Sequence, residues 1–193
     1  MAPNSQPVVP TRHLALVGLM GAGKTAVGQV LAMRIQRRHV DLDRAVTQLA
    51  GRSIGVIFHE GGETAFRNLE SQCLSLQLAV EDPIVISTGG GVLGRDENRV
   101  ALAKETILVW LRAQPETLAS RVGEGAGRPL LEGKNCLEVL QSMAEKRDPV
   151  YELASDLVVD TDYQSIDEVV DELLGELAAL GPSSRSSGME GRP

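Results

Sequence analysis

The chain has 193 residues, 42% hydrophobic and 3% aromatic, with a formal net charge of -7, so it suits one domain with apolar material for a core. The negative balance argues against nucleic acid or an anionic membrane as the main partner, and any anion site must be a local basic pocket. Cys73 and Cys136 lack C-x-x-C spacing, and His13, His39 and His59 lack i, i+4 pairing, so neither a disulfide framework nor a zinc site is indicated and a reducing cytoplasm is expected.

The opening MAPNSQPVVPT has no basic region followed by an apolar core, and no stretch of about 18 apolar residues is present to span a bilayer. Residues 1–11 and 181–193 are rich in Pro, Ser and Gly and are expected to be disordered, leaving 12–180 as a single folded domain. The first strand expected is His13–Val17. Directly after it, GLMGAGKT (18–25) has the form G-x-x-x-x-G-K-[ST], a glycine-rich turn whose N–H groups converge on a phosphate. In that pattern the Lys24 ammonium reaches the β/γ-phosphates and the Thr25 hydroxyl ligates Mg²⁺. Val27, Val30, Leu31 and Ile35 then recur at helical spacing, which supplies the helix that such a loop requires.

A second strand is expected at His39–Asp41, although Arg37, Arg38 and His39 give it a basic entry in place of an apolar one. If the strand extends to residue 43, Asp41 and Asp43 share one face. Asp41 is the candidate for the metal-water shell, because the third strand ends IVISTGGG without a carboxylate, and Asp43 could orient a substrate hydroxyl and accept its proton. One of the two could instead simply N-cap the helix starting near Arg44. GGETAFRNLE sets Arg67 and Glu70 one turn apart on a helix with Phe66, Leu69 and Cys73 buried; on this alone a surface ion pair is favoured.

The third strand, Pro83–Ser87, leads into Gly89-Gly90-Gly91, where a ligand could approach the backbone closely; a plain loop is the alternative. A fourth strand is expected at Thr106–Leu111. Residues 123–135, GEGAGRPLLEGKN, have no core periodicity and read as a mobile flap carrying Arg128. Arg147 follows in EKRDPVY, the last strand is expected at Asp156–Asp160, and Ile166, Val169, Val170, Leu173, Leu174 and Leu177 mark a closing helix. Any one of these arginines is by default a solvated side chain, and they matter only if they converge. Strands alternating with helices imply a parallel α/β sheet covered on both faces, whose ligands bind beyond the carboxyl ends of the strands.

GLMGAGKT, DLD, GRSIGVIF, GGETAFRNLE, STGGGV, RPLL and EKRDPVY occur in an order and at spacings that resemble the shikimate kinase family over roughly residues 12–180. FRxxE, TGGG and RPLL are much more specific than the phosphate loop alone. The resemblance implies transfer of the ATP γ-phosphoryl group to the 3-hydroxyl of shikimate, giving shikimate 3-phosphate and ADP in the chorismate pathway of aromatic amino-acid synthesis. It implies a three-layer P-loop kinase fold with five parallel strands in the order 2-3-1-4-5, Mg²⁺ as cofactor, and a cytoplasmic enzyme, expected to be a monomer. Carried over by position, Gly21, Ala22, Gly23, Lys24, Thr25 and Ala26 hold the nucleotide, with Arg121 against adenine. Arg128 is the flap arginine that closes on the phosphates, and Thr25 and Asp41 serve the metal. Asp43 contacts the acceptor hydroxyls, while Arg67, Arg147 and the Gly89–Gly91 backbone grip its carboxylate. Asp43, Lys24 and Arg128 form the catalytic set, the substrate-binding segment runs over about 42–72, and the lid spans about 123–135; flap and helix between Arg128 and Arg147 match no motif.

Three other readings of these motifs exist. Gluconate kinase would also join a phosphate loop to a carboxylate-bearing polyol, but FRxxE, TGGG and RPLL argue against it. A nucleotide switch would want an N-K-x-D motif, which is lacking. A catalytically dead relative is opposed by the intact Lys24, Asp41, Asp43, Arg67, Arg128 and Arg147.

Overall fold

The computed structural model describes residues 9–123 and 135–181. Strands β1 His13–Val17, β2 His39–Asp41, β3 Val85–Ser87, β4 Thr106–Arg112 and β5 Leu157–Asp160 alternate with helices along the chain. They form one five-stranded sheet in the order β2-β3-β1-β4-β5, every pair parallel. Both expected strands at the start have the expected bounds; the others differ by one or two residues at an end.

Every residue of β1 is buried, so its two alternating faces are both covered by helices, as a central parallel strand requires. The helices are α1 Lys24–Arg34, α2 Leu42–Ala50, α3 Ile54–Leu78, α4 Asp96–Glu105, α5 Pro115–Val122, α6 Cys136–Ala154 and α7 Ile166–Leu180. The closing helix α7 buries Val169, Val170, Leu173 and Leu177 and starts with a capping box between Ser165 and Glu168. It packs beside α1, where Arg34 pairs with Asp167 and Asp171.

The basic entry to β2 has a structural reason. Arg37 donates to the carbonyls of Pro10 and Arg12, and the carbonyl of Arg38 accepts from Val85 N–H at 3.0 Å. Pro10 is itself buried, so the packed chain begins before residue 12. The His39 ring sits 2.9 Å from the Ser87 hydroxyl, which donates to the Lys24 carbonyl at 2.7 Å. That leaves His39 Nε2–H as the donor to Ser87.

Register aligns the carboxyl ends of the strands that matter. Asp41 lies opposite Ser87, and Ser87 opposite Leu16, so the loops after β1, β2 and β3 emerge at one edge.

Candidate active site

The loop after β1 turns at Gly18, Gly21 and Gly23, whose φ values of 139°, 85° and 86° are open to glycine and strained for other residues. It ends at the amino terminus of α1, where the helix dipole and exposed N–H groups favour an anion. Lys24 Nζ lies 2.9 Å from the carbonyls of both Gly18 and Leu19, which holds the ammonium over the loop. Asp41 does two jobs. Its Oδ1 accepts from Arg44 N–H at 3.1 Å and so N-caps α2, while its Oδ2 accepts from the Thr25 hydroxyl at 2.7 Å. The capping alternative and the metal-shell reading are therefore compatible in one side chain.

The expectation that Asp41 and Asp43 share a strand face does not hold. The strand ends at Asp41, and Asp43 lies in the first turn of α2, because the cap starts the helix at Leu42. Both side chains still line the same cavity, of about 600 Å³. So do Gly21, Gly23, Lys24, Thr25, Ala26, Arg67, Gly89, Gly90, Gly91, Arg121 and Arg147. Ala22 does not line it: its side chain is buried and its N–H donates to the Leu19 carbonyl at 3.3 Å. Arg121 reaches the wall while donating to Thr161, at 3.0 Å to the hydroxyl. Arg128 and most of the 123–135 flap, like the tails beyond Val9 and Gly181, lie outside the described residues. Asn135, at the flap's end, caps α6 by accepting from Leu137 N–H at 3.1 Å.

The Arg67–Glu70 pair is not a surface pair. Glu70 is wholly buried and accepts from Arg67 at 2.7 Å, while Glu63 accepts from the other side of the guanidinium at 3.0 Å. Burial disfavours the Arg67 charge, but Glu70 and Glu63 outweigh it and hold the guanidinium above its ordinary pKa. Burial pushes the Glu70 carboxyl upward, Arg67 pulls it back, and the nearby Asp43 charge adds to the rise. The signal was legible: residues 66, 70 and 73 share a helical face, so Glu70 lies in phase with Phe66 and Cys73, while Leu69 is only half-buried.

Helix α3 bends at Gly62, with φ 68° and ψ -170°, and the bend folds its first turns back over the cavity. Phe58 and Phe66 then meet across it with ring centroids 5.1 Å apart. Ile54, Phe58 and Phe66 give the cavity an apolar wall that sequence spacing did not suggest. Opposite, Arg147 donates to the Gly90 carbonyl at 3.1 Å. One chamber thus holds a phosphate loop, carboxylates at Asp41 and Asp43, three guanidiniums and an apolar wall. That set can take a nucleotide and a small anionic polyol.

A family model described as shikimate kinase matches residues 20–178. The chain belongs to the shikimate kinase family. A shikimate kinase of Symbiobacterium thermophilum is 44% identical over 171 residues, covering 88% of this chain and 98% of the relative. The fold matches a shikimate kinase from Acinetobacter baumannii solved in complex with shikimate, with TM-score 0.84 and 30% identity over 87% of this chain and 93% of that one. A gluconokinase from Sinorhizobium meliloti matches with TM-score 0.62 at 22% identity, covering 89% and 95% of the two chains, which extends the likeness in fold alone. The family uses ATP with Mg²⁺, and the residues present suit both. The phosphate loop offers its turned backbone and Lys24, and the paired Thr25 and Asp41 oxygens suit a hard cation that keeps several waters. Among the described residues no cluster of three or more His, Cys, Asp or Glu could hold a metal by itself.

Proposed function

We infer that this protein is a shikimate kinase, which phosphorylates shikimate at the expense of ATP, and that the 3-hydroxyl is the acceptor. The observation that carries the acceptor site is the convergence of Arg67, Arg147 and the Gly89–Gly91 turn on the cavity that also holds Asp43 and Lys24. Two guanidinium forks suit one carboxylate bidentately, and a buried pair of cations is much less costly once an anion joins them. The apolar wall of Ile54, Phe58 and Phe66 suits the ring, and Asp43 suits its hydroxyls.

In this reading Asp43 orients the acceptor hydroxyl and takes its proton as the oxygen attacks. Little proton removal is needed early in a loose phosphoryl transfer, so positioning is the larger part of its contribution. Lys24 and the loop N–H groups hold the transferring phosphoryl and spread its charge. Thr25 and Asp41 would hold Mg²⁺, which neutralises charge on the β/γ-phosphate oxygens when bound. Arg121 flanks the adenine, and Arg128, with the 123–135 lid, closes over the phosphates and excludes water. No helix among the described residues is long and apolar enough to cross a membrane. A monomeric enzyme of the cytoplasm, acting on a small metabolite and not on nucleic acid, completes the proposal.

Two variants separate the roles. Asp43→Asn should lower kcat by roughly 10²-fold or more with the ATP KM nearly intact, whereas Arg147→Ala should raise the shikimate KM far more than the ATP KM. An unchanged kcat in the first, or equal KM effects in the second, would reassign the residue concerned.

A further inference from the structure

Tyr151 lies one helical turn beyond Arg147 on α6, 1% exposed, with its hydroxyl donating to the Gly90 carbonyl. Arg147 donates to the same oxygen at 3.1 Å, so α6 sets two donors a turn apart on one peptide. Burial pushes the phenol up to about 12, which keeps its proton in place as a donor. The ring is fixed from behind by Trp110, with centroids 5.7 Å apart at 40°.

The oxygen so held belongs to a special peptide. Val92 N–H donates to the Gly89 carbonyl at 3.2 Å, so residues 89–92 form a tight turn with Gly90 and Gly91 in its centre. Gly91, at φ -109° and ψ 5°, gives the turn its type I form. Types I and II differ by a flip of the central peptide, and glycine in the third position ordinarily makes the flipped form easy to reach. Two glycines leave this turn free to flip unless something outside it chooses. Because the peptide is planar and trans, fixing the Gly90 carbonyl toward α6 fixes the Gly91 N–H in the opposite direction. Among the described residues the N–H groups of Gly89, Gly90 and Gly91 donate to no carbonyl or side chain, so they are available to a ligand in the cavity they line.

We propose that Tyr151 is a positioning residue for the acceptor site: it latches the central peptide of the Gly89–Val92 turn so that the Gly91 N–H is presented for the acceptor carboxylate. The proposal rests on the acceptor reading given above. It also explains why two donors share one carbonyl. When Arg147 turns to an incoming carboxylate, Tyr151 still holds the peptide.

Tyr151→Phe tests this, since it keeps the ring against Trp110 and removes only the hydroxyl. Steady-state kinetics should show the shikimate KM raised roughly three- to tenfold with the ATP KM unchanged, the size of one hydrogen bond lost. In the ligand-free variant, where Arg147 is the side-chain donor that remains on the Gly90 carbonyl, the ¹⁵N–¹H resonance of Gly91 should show exchange broadening as the peptide moves between two orientations. A purely structural tyrosine would lower Tm and leave the KM ratio and the Gly91 line width as in the unsubstituted protein; that result overturns the proposal. Failure of the unsubstituted protein to use shikimate would sink the acceptor reading instead, while exchange broadening of Gly91 in Tyr151→Phe would still uphold the latch.

Discussion

His13 shows how a single buried side chain ties elements together and makes the fold sensitive to acid. It is 7% exposed at the start of β1; its Nδ1 accepts from Ile84 N–H at 3.1 Å, and the Leu78 carbonyl partners the ring as well. The neutral ring with the proton on Nε2 satisfies both, whereas the charged ring would turn a second N–H toward that of Ile84. Burial accordingly lowers its pKa below the ordinary value of 6.5. A depressed pKa means that the unfolded chain binds the proton first, so this contribution to stability is complete above about 6.5 and is lost as pH falls toward the lower folded value. Thermal unfolding should show Tm falling below pH 6.5, and His13→Asn, which keeps an acceptor for Ile84, should flatten that fall. An identical slope in the variant would contradict the assignment. Residue roles of this kind were only partly legible in the sequence. The length of β2 and an aspartate capping the next helix were both open to reading, yet that Asp41 is the cap and also accepts from Thr25 appears only once β2 is placed beside the phosphate loop.

Among the elements, α3 carries the most that spacing could not reveal. A helix of 25 residues from Ile54 to Leu78 contains a non-helical residue at Gly62, and the bend sends Phe58 back onto Phe66. The glycine pair at 61–62 permits such a bend but does not state that it occurs or which way it turns. A Cβ at Gly62 would meet nothing within 4 Å, so the cost of Gly62→Ala is confined to the backbone. That cost is about 1–3 kcal/mol for a conformation open essentially to glycine alone. Urea denaturation should register it, together with a higher shikimate KM as the wall of Ile54 and Phe58 shifts. Stability equal to that of the original protein would mean that the bend survives in another way. The strands were easier to read, since runs such as ILVWL are apolar on both faces, as central parallel strands must be. In α6, by contrast, Arg147 and Tyr151 sit at plain i, i+4 spacing, and their shared carbonyl appears only once the Gly89–Val92 turn is placed beside them.

At the scale of the whole molecule, a chain of net charge -7 binds two anionic substrates by concentrating its cations where three strand ends meet. Lys24, Arg67, Arg147 and Asp43 line that one cavity; in the proposed reading Lys24 and the helix amino terminus take the nucleotide, the two arginines take the acceptor, and Asp43 serves its hydroxyls. The order of strands followed from likeness to a family, not from periodicity, because alternation of strands and helices does not itself state which strand neighbours which. The central claim is that this cavity requires shikimate as the acceptor. Coupled ADP release with ATP and Mg²⁺, measured with shikimate, with gluconate and with no acceptor, tests it most directly. The account predicts release that depends on shikimate; release with gluconate alone, or without any acceptor, would contradict it.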